Sequence, residues 1–190
     1  LFPERNLVSW PMLLYFRKGV ADIRRQAQVV IAVSETSKRD LSGYGGAPFP
    51  SIRVVPSGIP HPASDAVQTP ASPPYFLFVG ALEAQKNLSN LLEGFARFKA
   101  RTGLAHRLAL VGAIARGFGV RGTDPGPLLA ACPSSRDIAF LGALPLDSPR
   151  LLDLYRRASA LVLVSWYESF GFPYLEAWSA GCPVIATSAG

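Results

Sequence analysis

Charge is scarce in this chain, and cysteine, histidine and methionine are scarcer. Charged residues make up 17% of the 190 positions against 49% hydrophobic ones, so a core can be buried and the disordered class is excluded. Two cysteines, Cys132 and Cys182, have no Cys or His partner at metal-ligand spacing, and are expected as buried free thiols of a reducing, cytoplasmic compartment. No apolar run reaches the ~18 residues of a membrane span, and no signal-peptide pattern is present. The absence of a zinc finger, an RNP-type motif or a long Lys/Arg run argues against nucleic acid. What remains is a net charge of +6, which suits phosphorylated small molecules or an anionic membrane surface.

From residue 75 onward strand and helix signals alternate. "YFLFVGA" (75–81), "HRLALVG" (106–112), "DIAFLG" (137–142), "ALVLVSW" (160–166) and "PVIAT" (183–187) are short apolar runs bounded by Gly, Pro or polar residues, hence strands. Asn87 offers an N-cap, and Leu88, Leu91, Leu92, Phe95 and Ala96 recur at helical spacing until Gly103. "PLLAAC" is a short helix, Ser148-Pro149 opens another, and Pro173 starts one that stops at Gly181. This order predicts an α/β fold, a Rossmann-like parallel sheet with helices on both faces.

Before residue 59 lie an amphipathic helix, "PMLLYFRKGVADIRRQAQ", a strand, "VVIAVS", a short helix, "ETSKRDLSGY", and another strand, "SIRVV". Residues 1–58 are expected to be the tail of one α/β domain, 59–74 a Pro/Ser/Ala-rich linker, and 75–190 most of a second domain. The chain starts without Met and stops on "VIATSAG", a strand and its loop, so a piece of a longer protein is expected.

"GFGVRG" (117–122) satisfies G-x-G-x-x-G, with Asp137 twenty residues past its first glycine. A dinucleotide site needs that turn between a strand and a helix. Here the strand ends near Gly112 and "TDPGP" follows Gly122, so the stretch reads as a loop.

"YESFGFPYLEA" (167–177) places Glu168 and Glu176 eight positions apart around Gly171 and Pro173. Ligands of open α/β sheets sit beyond the carboxyl ends of the strands, where a helix N-terminus offers unpaired N–H groups to a phosphate. Glu176, read as lying in the first turn of that helix, could answer the helix dipole or accept two ribose hydroxyls. Glu168 could be a solvated loop acid or a group in the chemistry. Lys86, next to Asn87, could be a surface lysine or a diphosphate partner.

Together, E-x7-E, "EAWSAGCPVIAT" and the upstream "FVGALEAQKNLSNLLEGFARF" resemble the retaining glycosyltransferases of the GT-B fold, family GT4, and its mannosyltransferase-like members. "VVIAVSETSKRDL" and "SIRVVPSGI" are similar to that family's exit from its N-terminal, acceptor-binding domain. The resemblance implies a hexosyltransferase taking a hexose, mannose by the style of "GALEAQKN", from a GDP- or UDP-sugar to an acceptor glycan or lipid-linked sugar. This would serve polysaccharide biosynthesis with no cofactor and no metal. By the same resemblance Glu176 holds the ribose, and Glu168 lies against the hexose. Phe170, Gly171 and Phe172 meet the sugar and diphosphate, Gly80 lines the donor site, and Lys86 stabilises the departing diphosphate. Many relatives carry an arginine where this chain has Ala81 or Gln85, and Ser169 replaces a commoner glycine. A binding module without catalysis is therefore the alternative. The basic residues near the start fit peripheral contact with the inner face of a membrane. The apolar faces of "MLLYF" and "VVIAV" are expected to drive self-association, and this piece alone is expected to be inactive.

Overall fold

The computed structural model describes residues 9–44, 48, 49, 51–59, 70–117 and 120–188. Most of the expected linker, two residues of "GFGVRG" (Phe118 and Gly119) and the last two residues of the chain lie outside this set.

The first part contains α1 (Trp10–Gln26), β1 (Val30–Ala32), α2 (Glu35–Gly43) and β2 (Ile52–Val54). β1 and β2 form a two-stranded parallel sheet, with Val30 opposite Ile52 and Ala32 opposite Val54. A parallel pair needs a covered crossover, and α2 supplies it. Ser34 caps α2 by accepting a hydrogen bond from the Ser37 N–H at 3.0 Å. Trp10, Leu14 and Tyr15 of α1 and Ile31 of β1 are more than half exposed, so the apolar faces of "MLLYF" and "VVIAV" are open.

The second part runs β3 (Tyr75–Val79), α3 (Leu88–Thr102), β4 (Arg107–Val111), α4 (Pro125–Ala131), β5 (Ile138–Phe140), α5 (Pro149–Arg157), β6 (Ala160–Leu163), α6 (Phe172–Ser179) and β7 (Val184–Ala186). All five strands are parallel, in the order β5-β4-β3-β6-β7. Consecutive residues of a strand face opposite sides of a sheet, and Leu77 and Phe78 are both fully buried. The sheet is therefore covered on both faces, as its continuous apolar strands require. Right-handed crossovers put α3 and α4, which pack together, on one face, and α5 and α6, also packed together, on the other.

The strands are shorter than the apolar runs that predict them by one to three residues at their ends. Apolar and small residues continue into loops that pack on the core, as at the buried Ser165. The helix expected over "PLLAAC" begins at Pro125, where the Asp124 carboxylate accepts from the Gly126 N–H at 2.9 Å.

The order of strands fixes where a ligand can sit. From β3 the chain proceeds towards β4 and β5, and from β6 it proceeds the other way, to β7. Beyond the carboxyl ends of β3 and β6 the crossovers diverge and leave a crevice, the switch point at which open α/β sheets bind ligands. The loop 80–87 lies on one side of that crevice and the loop 164–171 on the other.

Candidate functional site

The loop after β3 starts with a close approach. A Cβ on Gly112 would overlap the Gly80 carbonyl oxygen, so only glycine lets β3 and β4 leave the sheet side by side. Gly80 in turn lies along the stem of Lys86, whose Cε would be 3.6 Å from an added Cβ. A 3-10 turn, Ala84–Lys86, then leads into Asn87 in the left-handed conformation, φ 56°. Asparagine is among the few non-glycine residues that adopt it readily.

Asn87 occupies the N-cap position of α3 as expected, but its side chain does not cap. The amide instead donates to the Val164 carbonyl at 3.0 Å, just past β6. The left-handed backbone turns the side chain towards the neighbouring strand, where an otherwise unpaired carbonyl needs a donor. Trp166 N–H donates to the Gln85 carbonyl at 2.8 Å, and the Gln85 amide donates to the Tyr167 carbonyl at 2.8 Å. Residue 85 thus fastens the two loops together through both its carbonyl and its side-chain amide.

The same lacing brings Lys86 to Glu168. The ammonium donates to Oε1 at 2.6 Å, with the side chains 12% and 10% exposed. Ser165 Oγ donates to the same oxygen at 2.7 Å, and Thr187 Oγ1 donates to the Ser165 carbonyl at 2.8 Å. Lysine carries three N–H donors, and Glu168 takes one. A diphosphate placed in the crevice could accept the others while the pair stays closed. Burial and the Glu168 carboxylate push the Tyr174 phenol beside this loop up to about 12.

Gly171 is the N-cap of α6 at φ 81°, where a Cβ would collide with the Tyr174 ring. Pro173 has no N–H, and the Tyr174 N–H turns back to the Gly171 carbonyl at 3.0 Å. Among the described residues, the N–H groups of Phe170, Gly171 and Phe172 have no backbone partner, so they remain available to an anion. The rings of Phe170 and Phe172 meet edge to face at 5.1 Å.

Glu176 lies in the second turn of α6, not the first. The helix starts at Phe172, one residue before Pro173, and contains no acid in its first turn. The dipole explanation for Glu176 weakens accordingly. Its Oε2 accepts from the Tyr155 hydroxyl at 2.7 Å. Tyr155 carries no functional signal in the sequence, where it reads as one more apolar position of α5.

The first part of the chain reaches the same loop. Ser34 Oγ and Ser37 Oγ donate to the Ser169 carbonyl at 2.6 and 3.3 Å, and Tyr167 donates to Asp40 at 2.7 Å. Between them lies a cavity of about 260 Å³ lined by Ser34, Thr36, Glu168, Phe170, Tyr174 and Thr187, among others. Its hydroxyl and aromatic lining suits a sugar-sized polyol. Among the described residues, no helix is long and apolar enough to cross a membrane, and no cluster of three acids, His or Cys could hold a metal ion.

Residues 63–190 match the family described as Glycosyl transferases group 1. The chain is 31% identical over 186 residues to D-inositol 3-phosphate glycosyltransferase of Nocardiopsis dassonvillei, covering 91% of this chain and 43% of that protein. It is 27% identical over 192 residues to O-antigen chain mannosyltransferase B of Escherichia coli, covering 92% and 47%. Sucrose-phosphate synthase from Thermosynechococcus elongatus superposes with a TM-score of 0.69 at 24% identity, over 89% of this chain and 43% of that one, which shows likeness of fold. The chain thus spans less than half the length of these relatives.

Proposed function

The chain belongs to the glycosyl transferases group 1 family, and from that premise we propose that it forms the donor half of a retaining hexosyltransferase. Residues 75–190 form the donor domain and residues 1–58 the end of an acceptor-binding domain. The donor is a GDP- or UDP-sugar. The likeness to a mannosyltransferase supports mannose as the sugar, and an acceptor glycan or lipid-linked sugar receives it.

The observation that carries this reading is the Lys86–Glu168 pair, set across the crevice where the order of strand addition reverses. In the transfer, the bond from the anomeric carbon to the diphosphate breaks and one to an acceptor oxygen forms on the same face, the acceptor's hydroxyl proton passing to the departing diphosphate. Negative charge grows on the leaving diphosphate, and a preorganised ammonium there is worth several kcal/mol. Lys86 supplies it, held in place by Glu168 and the carbonyl lacing around it. Glu168 faces the sugar from the cavity, the N–H groups of Phe170 to Phe172 meet the diphosphate, and Glu176 accepts the ribose hydroxyls.

Calorimetry with UDP and GDP tests the site. Glu176→Ala is expected to weaken the preferred nucleotide by about 1–3 kcal/mol, the cost of leaving hydrogen-bonding groups unpaired. Equal affinity for parent and variant removes Glu176 from the site. The donor half needs no metal, because the charge is met by Lys86 and backbone N–H groups. Activity of the full-length protein abolished by EDTA and restored by Mg²⁺ or Mn²⁺ would contradict this.

A second reading, a nucleotide- or sugar-binding module without catalysis, is favoured by one observation. Position 85 carries an amide committed to the Tyr167 carbonyl, and position 81 an alanine, so Lys86 is the one cation that the loop 80–87 offers a diphosphate. Binding of a nucleotide sugar by the full-length protein with neither transfer nor hydrolysis would select it.

A further inference from the structure

Tyr155 stands on α5, outside both loops of the crevice, yet its hydroxyl ends on Glu176 Oε2 at 2.7 Å. The residue is 2% exposed and belongs to the core that also holds Leu151 and Leu161. A buried phenol of this kind needs an acceptor, and the nearest ones on a helix are carbonyls already engaged in the helix ladder. Here it finds a carboxylate instead. Among the described residues Glu176 makes no ion pair, so within the protein its charge is met by a neutral donor.

The contact has a consequence for a ligand. An ionised carboxylate has two oxygens and about four acceptor sites, and Tyr155 occupies one of them on Oε2. Oε1 stays open, and the side chain is restricted to the rotamer that keeps the first bond. A flexible glutamate would have to be ordered when a diol binds, at a cost in rotamer entropy. Glu176 is ordered beforehand, by an O–H donor to a charged acceptor, among the stronger hydrogen bonds in proteins. Burial, followed by the Glu176 carboxylate, raises the Tyr155 phenol far above its ordinary value, so at any working pH it remains a donor.

We propose that Tyr155 is a positioning residue for ribose recognition: it fixes the Glu176 carboxylate so that the free oxygen meets a nucleotide's ribose hydroxyls. The inference rests on the donor-site reading of Glu176 and adds to it a residue that never touches the ligand.

The test is a comparison of eight affinities by calorimetry on the full-length protein. UDP and GDP are titrated beside their 2′,3′-dideoxy counterparts, first into the parent and then into Tyr155→Phe. The expected result is a parent that prefers the ribose form. In the variant that preference shrinks about tenfold, while the dideoxy ligand binds as it does to the parent. Equal affinity of the variant for the ribose ligand overturns the inference and leaves the donor-site reading standing, as does an equal loss for both ligands, which marks a purely structural tyrosine. A parent that binds none of these ligands, or ignores the ribose hydroxyls, overturns the reading of Glu176 itself. Should Tyr155→Phe fold too poorly to assay, a crystal structure of the parent with the nucleoside diphosphate decides. The Tyr155 hydroxyl on one Glu176 oxygen and the ribose on the other supports the proposal. A Glu176 that swings away from Tyr155 to meet the ribose overturns it.

Discussion

Lys86 Nζ lies 2.6 Å from Glu168 Oε1 across 82 positions of sequence, and both side chains are nearly buried. Neither group is placed by its own helix. Each sits on a loop at the end of a different strand, and the pair closes because β3 and β6 are neighbours in the sheet.

Breaking this pair leaves a carboxylate with one neutral donor in a poorly solvated place. Lys86→Met is expected to lower unfolding free energy by about 3 kcal/mol in urea titrations. Glu168→Gln combined with Lys86→Met recovers part of that loss, because the double variant leaves no unpaired charge. Transfer by the full-length protein carrying Lys86→Met falls about 10²–10³-fold, the range for removing a preorganised charge-stabilising group. Additive stability losses in the double variant would show that the two side chains do not act on each other.

Asn87 combines a left-handed backbone with a bond to the Val164 carbonyl. Asn87→Gly keeps the backbone and loses only the bond, at about 1 kcal/mol. Asn87→Ala loses both, at a further cost of about 1–2 kcal/mol for an alanine forced left-handed. Denaturant midpoints that rank the two variants in the opposite order would refute this account of the turn.

Gly171 and Gly142 both have positive φ, 81° and 71°, but differ in surroundings. Nothing lies within 4 Å of a Cβ at 142, whereas one at 171 meets the Tyr174 ring. Gly142→Ala is expected to cost about 1 kcal/mol, the conformational part alone. Gly171→Ala costs more, about 2–3 kcal/mol, and also weakens nucleotide binding by moving α6. Thermal melts of the two variants check the difference.

Tyr75, Tyr167 and Tyr174 are each pushed up to about 12, by burial first and then by neighbouring charge, Asp40 in the case of Tyr167. In the unfolded chain they ionise near 10. Between these values the unfolded state binds fewer protons, so stability is fully present below about pH 10 and falls as pH rises towards 12. Urea midpoints measured from pH 9 to 12 should decline. Tyr167→Phe should make the decline shallower.

Much of the fold is written in the order of the residues. Hydrophobic runs of five to seven residues alternating with helical periodicity can only be a covered parallel sheet, since burial on both faces leaves that mark on composition. Capping chemistry places Ser148 at a helix start, and Pro173 marks another that the structure sets one residue earlier, because those signals act within one turn of chain. The spacing of Glu168 and Glu176 and the setting of Lys86 mark all three as candidates, and the fold sets Lys86 and Glu168 against each other. Which strands are neighbours is not legible in this way, because periodicity records burial and carries no register between distant segments. The switch point, the Lys86–Glu168 bond, the use of Gln85 as a tie to Tyr167 and the hold of Tyr155 on Glu176 were decided by the tertiary structure alone. Each contact joins residues far apart in sequence, and its partner exists only once the sheet and its packed helices have brought the two segments together.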